Sequence, residues 1–196
     1  MSKQQVANRL FLTGCVKFGN YTLKSGVSSP IYVDLRRLIA YPSVLKQVAG
    51  LYKDFLKESQ CDAIAALPYA GLPIGTAVSL ETGCPMIYPR KEVKEYGTGA
   101  AIEGVFHPGM KVLIIDDVAT RGDAKFEAIE RLEMAGLNVV GTCVLIDREG
   151  GARETLEARG KKFMSVFRLS ELINDWREQG LITEEQHKVV VSYLLK

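Results

Sequence analysis

The sequence predicts an α/β fold with a central parallel sheet flanked by helices, and three observations carry that prediction. Short β-prone runs alternate with stretches of helical spacing, which implies parallel strands covered by helices on both faces. The run "KVLIID" (Lys111–Asp116) is a block of branched apolar residues, the pattern of a buried strand. The 196 residues, 47% of them apolar, are enough for the core of one α/β domain and show no linker, repeat or composition shift.

Taken in order, "MSKQQVANRLFLTG" spaces its apolar residues as an amphipathic helix, and it lacks the uninterrupted apolar region of a signal peptide. "FGNYTLKSGVSSPIYVDLR" places turn residues between short β-prone runs and reads as a small hairpin. "PSVLKQVAGLYKDFLKES" opens on proline and continues at helical spacing, predicting one helix over residues 42–59. There follow a strand "DAIAALP", a helix "GLPIGTAVSLETG", a strand "PMIY" and a polar stretch "RKEVKEYGTGAAIEG". After "KVLIID" comes a helix "DAKFEAIERLEMAG" closed by Gly136, then a strand "NVVGTCVLID". A short helix near Ala152–Ala158, a strand "FMSVF" and two C-terminal helices complete the chain, which is expected to form one domain over 1–196. Trp176 lies at helical spacing from Leu169, Leu172 and Ile173 and belongs to a buried helix face.

The net charge of +2 gives no general case for nucleic acid, and no apolar run approaches membrane-spanning length. Four cysteines (Cys15, Cys61, Cys84, Cys143) without CxxC spacing read as reduced thiols in a cytoplasmic protein rather than a metal site.

Ligands of parallel α/β sheets bind beyond the carboxyl ends of the strands, so the residues after each strand are the ones to weigh. Asp116 and Asp117 end "KVLII", and Thr120–Ala124 turn from there into a helix. Two carboxylates there can accept bonds from vicinal sugar hydroxyls or hold magnesium, and a turn entering a helix offers N–H groups to a phosphate. An isolated acid pair would read as a solvated turn; the order strand, two acids, glycine, helix favours a ribose 5-phosphate site. "PYAGLPIG" makes a similar turn that could serve a second phosphate, and Arg90, Lys91 and Lys94 cluster in a glycine-flanked loop able to close over an anionic leaving group. Arg148, after "CVLID", can clamp a carboxylate or carbonyl. Gly97, Gly99 and Gly104 lack the strand-to-helix setting of a dinucleotide fingerprint, "RGD" at 121–123 is a chance match, and His107 and His187 stand alone.

"VLIIDDVATRGDA" resembles the phosphoribosyl-diphosphate signature of type I phosphoribosyltransferases. Together with "FGNYTLKSGVSSPIYVDLR", "RKEVKEYG" and "VLIDREGG", in this order, it resembles the orotate phosphoribosyltransferases from about Phe18 to Arg148. The resemblance implies the type I phosphoribosyltransferase fold with a small N-terminal hood, formed mainly by 1–40. It implies a magnesium-dependent transfer of ribose 5-phosphate from phosphoribosyl diphosphate to orotate, with the metal carried mainly by the diphosphate. It further implies a homodimer with shared active sites. By resemblance, Lys24 contacts the sugar phosphates, Tyr32 and Val33 flank the base, and Tyr69 and Ala70 lie in the diphosphate turn. Arg90, Lys91 and Lys94 are the loop cations, Lys94 the main catalytic one. Asp116 and Asp117 bind the ribose, Thr120–Ala124 (Thr120, Arg121, Gly122, Asp123, Ala124) carry the 5-phosphate loop, Val118 and Ala119 before it count among the substrate-binding residues, and Thr120 and Arg148 meet orotate.

Four positions depart from the family pattern: Tyr96 for a frequent histidine, Ala70 for a frequent lysine, Arg121 for a small residue and Asp123 for a hydroxyl residue. A carboxylate beside a phosphate dianion repels it by roughly 1 kcal/mol or more. The site is therefore expected to be either rewired, with Arg121 turned inward, or impaired. A transferase for another base and a non-catalytic nucleotide-binding regulator stay open as alternatives.

Overall fold

The computed structural model describes residues 2–22, 26–91 and 101–195, the side chains of residues 123 and 124 excepted. Helix α1 (Lys3–Leu12) starts at a reciprocal cap: the Gln5 N–H donates to Ser2 Oγ at 3.2 Å and the Ser2 N–H to Gln5 Oε1 at 2.9 Å. Strands β1 (Val16–Thr22) and β2 (Ser28–Val33) pair antiparallel as the expected hairpin, a two-stranded sheet of their own. A 3-10 turn over Leu35–Ala40 follows.

The single helix expected over 42–59 is two, α2 (Pro42–Gly50) and α3 (Lys53–Ser59). The break falls at Leu51–Tyr52, where the Tyr52 ring turns into the core with no exposure. Apolar spacing continues across the break, and the break follows Gly50, a residue of poor helix propensity.

The main sheet contains β3 (Ala63–Ala66), β4 (Met86–Pro89), β5 (Ile102–Glu103), β6 (Lys111–Ala119), β7 (Asn138–Asp147) and β8 (Phe163–Arg168), in the order β5-β4-β3-β6-β7-β8. All pairs are parallel except β4–β5, an antiparallel ladder of Tyr88 with Glu103 and Pro89 with Ile102. That edge strand lies in the stretch read as polar loop; its pairing with β4, not its own composition, makes it a strand. Helices α4 (Gly71–Thr82), α5 (Asp123–Met134) and α6 (Ala152–Glu157) follow β3, β6 and β7, and α7 (Leu169–Glu178) and α8 (Glu184–Leu194) close the chain.

Two apolar clusters cover the two faces. Along β6, Leu113 and Ile115 enter one cluster with α1, α2, α7 and the hairpin, while Val112 and Ile114 enter the other with α5 and α6. Burial on both faces explains why "KVLII" reads as an unbroken apolar run. Trp176 is fully buried in the first cluster, and its indole N–H donates to the Ala7 carbonyl at 3.3 Å. No helix among the described residues is long and apolar enough to cross a membrane.

Candidate active site

The carboxyl ends of β3, β4, β6 and β7 converge, and the turns leaving them form the site. Polarity begins where β6 runs out of apolar residues. Asp116 is only 7% exposed and faces α5, where the equally buried Lys125 places its ammonium 2.6 Å from Asp116 Oδ2. Lys125 Nζ also donates to the Val118 carbonyl at 2.6 Å, and the Asp117 N–H donates to Asp116 Oδ1 at 2.8 Å. Both oxygens of Asp116 are thus fixed. Asp117 makes no ion pair among the described residues; burial first, and the neighbouring Asp116 charge second, push its carboxyl up to about 7.

Sequence reasoning missed Lys125. A lysine in a helix ordinarily reads as solvated, yet this one stands in the first turn of α5, where a cation opposes the helix dipole. That misplacement is the signal that could have marked it.

The turn after β6 is braced from the neighbouring strand. Gly122 adopts φ +92° at the start of α5, a left-handed conformation that favours glycine. The Ala152 N–H donates to the Thr120 carbonyl at 3.0 Å, and a Cβ on Gly150 would lie 2.8 Å from Thr120 Cγ2. Thr120 and Arg121 are exposed at the rim. The helix start leaves the N–H groups of Asp123 and Ala124 without partners four residues back. The side chains of Asp123 and Ala124 lie outside the described residues, and so does the question whether Asp123 meets Arg121.

The turn after β3 carries Tyr69, 63% exposed, and the buried Ala70. Gly71 opens α4 so close to β6 that a Cβ there would meet the Ile115 carbonyl at 3.0 Å and Asp116 Oδ1 at 3.1 Å. After β4, Arg90 pairs with Glu103 on β5, and Lys91 Nζ lies 4.7 Å from the Tyr69 ring centre, a cation–π contact across the two turns. Arg131 of α5 donates to the Arg90 carbonyl at 3.1 Å. A cavity of about 190 Å³ opens between Pro68, Arg90, Lys91, Asp116 and Arg131. Arg90, Lys91, Tyr69 and Asp116 are therefore brought together; Lys94 and Tyr96 lie outside the described residues.

Arg148 extends from the end of β7 toward the hairpin. Its N–H donates to the Ala119 carbonyl at 2.8 Å and its Nη2 to Ser29 Oγ of β2 at 3.4 Å, while its buried Nε has no partner among the described residues. On the same hairpin, Tyr32 stacks obliquely on Tyr21 with ring centres 5.2 Å apart and accepts from Arg36 at 3.2 Å. Val33 packs its side chain on the core, so backbone is what it can offer a ligand. Lys24 lies outside the described residues. Among the described residues no group of three or more His, Cys, Asp or Glu could hold a metal ion.

A family model described as the phosphoribosyl transferase domain matches residues 36–181. The chain is 41% identical over 172 residues to the orotate phosphoribosyltransferase of Pyrococcus horikoshii, covering 87% of this chain and 92% of that protein. It is 42% identical over 180 residues to the uridine 5'-monophosphate synthase of Bos taurus, covering 91% of this chain but only 38% of that longer protein. Among solved structures, Leishmania donovani UMP synthase superposes with a TM-score of 0.92 at 46% identity, over 99% of this chain and 42% of that one. Matches of this extent, laid over strand-end acids, a glycine turn and an adjoining cleft lined by charged residues, show that the chain belongs to the phosphoribosyl transferase family and, within it, to the orotate phosphoribosyltransferases.

Proposed function

We propose that the chain transfers ribose 5-phosphate from phosphoribosyl diphosphate to orotate, giving orotidine 5'-monophosphate and diphosphate on the route to UMP. One observation carries the reading beyond family membership: Asp116 and Asp117 stand beside a helix-start turn at the strand ends, so sugar acceptors and phosphate donors adjoin. In this reading the ribose hydroxyls donate to the two carboxylates, and the N–H groups of the Thr120–Ala124 turn receive the 5-phosphate. Asp116 works from a position fixed by Lys125, so it need not reorganise when the sugar arrives.

During transfer the bond from the anomeric carbon to diphosphate breaks and the bond to the orotate ring nitrogen forms. Positive charge builds on the sugar and negative charge on the leaving group. Arg90 and Lys91 face the cavity where diphosphate would lie, and Lys94 is assigned to the same task. Arg148, whose Nη2 reaches Ser29 and whose Nε has no partner among the described residues, is assigned to the orotate carboxylate, with Tyr32 against the ring.

Asp116 and Asp117 are the described carboxylates that would face magnesium brought in with the diphosphate, and the metal would supply further neutralisation of the leaving group. The residues fit that manner of binding: the strand-end carboxylates Asp116 and Asp117 offer oxygen, the donor type that magnesium takes. We also assign to this reading a homodimer with shared active sites, a cytoplasmic setting, and a single domain over 1–196 with its hood in 1–40.

The test mixes the chain with magnesium, phosphoribosyl diphosphate and orotate and follows loss of orotate absorbance. Turnover is expected. Tight nucleotide binding without turnover would instead identify a regulator. The Asp123 departure is tested separately: Asp123→Thr raises affinity for phosphoribosyl diphosphate if the natural residue impairs the phosphate turn, and leaves it unchanged if the site is rewired.

A further inference from the structure

At the amino ends of β3 and β4, opposite the strand-end acids, lie two thiols that the proposed reaction does not use. Cys61 stands two residues before β3 and Cys84 two residues before β4. The strands pair with Ile64 opposite Met86 and Ala65 opposite Ile87, and the Ile64 N–H donates to the Pro85 carbonyl at 2.9 Å. Carried back, that register sets Asp62 opposite Cys84 and makes Cys61 its diagonal neighbour. A strand spacing of about 4.8 Å and a rise of about 3.3 Å per residue put the two Cα atoms about 6 Å apart, within disulfide range.

Side-chain placement agrees with the backbone. Both cysteines are half-buried, pack on the same apolar cluster and line one cavity of about 480 Å³ with Lys53 and Lys57 at its edge. Lys53 is ion-paired with Glu81 at 2.8 Å, and the Asp62 carboxylate accepts the Lys111 N–H. The neighbouring Cys84 draws the Cys61 thiol below the ordinary thiol range, while Cys61 and burial raise Cys84. Cys15 and Cys143 differ in kind: both are fully buried, and burial raises both.

We propose that Cys61 and Cys84 form a thiol–disulfide exchange site for low-molecular-weight disulfides, with Cys61 as attacking and Cys84 as resolving thiol. The Cys61 thiolate attacks one sulfur of the small disulfide; its S–S bond breaks, one small thiolate leaves, and a mixed disulfide remains on Cys61. Cys84 then gives its proton to solvent, attacks the Cys61 sulfur and expels the second small thiolate. Two protein thiols are oxidised to one disulfide, and one small disulfide is reduced to two thiols. The resulting bond pins together the starts of the strands whose far ends carry Tyr69 and Arg90.

The experiment incubates the reduced full chain with glutathione disulfide, blocks remaining thiols by alkylation and maps the peptides by mass spectrometry. The expected product is an internal Cys61–Cys84 disulfide, with Cys15 and Cys143 alkylated only after unfolding. Cys84→Ser is expected to stop at a stable glutathione adduct on Cys61, and Cys61→Ser to react roughly tenfold more slowly than the parent. Three outcomes overturn the proposal: persistent adducts without an internal disulfide in the parent, earlier reaction at Cys15 or Cys143, or parental rates in Cys61→Ser. The serine variants are read on folded protein, confirmed by an unchanged thermal midpoint, so misfolding cannot pass for lost exchange.

Discussion

Two turns at the carboxyl end of the sheet, Leu67–Ala70 ahead of α4 and Thr120–Gly122 ahead of α5, follow one plan and reach it by opposite means. The first gains proximity by leaving atoms out. Gly71 lets α4 press on the Ile115 carbonyl and Asp116, and Gly75 lets it press on Ala66. The second puts a charge in, since α5 carries a buried lysine in its first turn and ties it to Asp116. Asp116 is where the two meet, backed by bare backbone on one side and held by an ammonium on the other. One turn should therefore break by added volume and the other by removed charge.

The largest effect is expected from the charge. Asp116→Asn leaves Lys125 buried without its counter-ion, a change that costs about 3 kcal/mol of stability by denaturant titration and abolishes orotate turnover. Adding Lys125→Met recovers most of that stability but none of the activity. If the double variant is as unstable as the single, the ion pair is not what ties α5 to β6.

Volume comes next. A Cβ at Gly75 would sit 2.5 Å from Ala66 Cβ, so Gly75→Ala forces α4 off the sheet and costs about 2 kcal/mol, seen as a lowered thermal midpoint. Gly71→Ala meets its neighbours at 3.0 Å and 3.1 Å and costs less stability, but it displaces Asp116 and raises KM for phosphoribosyl diphosphate severalfold. Equal effects on KM from both variants would erase the distinction between the two glycines.

Asp117 supplies the pH dependence. Held near 7, its carboxyl is increasingly protonated below that pH and, in the role proposed for it, loses acceptor strength toward ribose hydroxyls. KM for phosphoribosyl diphosphate is expected to rise as pH falls below about 7, by at most about tenfold per unit, and Asp117→Asn flattens that dependence. Stability runs the other way. A folded-state pKa raised above the unfolded value stabilises the fold below the unfolded pKa, about 4, and that contribution is lost as pH rises through about 7. Compared with the parent, Asp117→Asn therefore gains stability at about pH 8 relative to about pH 5.

The smallest effect belongs to Arg131, whose bond to the Arg90 carbonyl steadies the strand end at the cavity. Arg131→Ala is expected to cost about 1 kcal/mol or less in kcat/KM, a few-fold loss.

Much of this was legible in the residues themselves. Asp116, Asp117 and Gly122 stand out because a strand, two acids and a glycine occur in sequence, and local order is what a sequence displays. The central strands were legible for a similar reason, because burial on both faces writes itself as an apolar run. What escaped depends on neighbours distant in the chain. β5 is a strand because β4 pairs with it, and Lys125 is buried because a carboxylate waits on another element. Departures such as Ala70 and Asp123 were visible as letters, whereas their energetic meaning depends on what stands opposite them.

The brace between the turns after β6 and β7 has a further consequence. Arg148 is bonded through its own N–H to Ala119, the phosphate turn is bonded through Thr120 to Ala152, and Gly150 is pressed against Thr120. The group assigned to the base and the turn assigned to the 5-phosphate thus share one rigid mount. In the proposed roles, such a mount would act as a ruler for the nucleotide: a product with one extra methylene between sugar and phosphate would register at one end or the other, not at both.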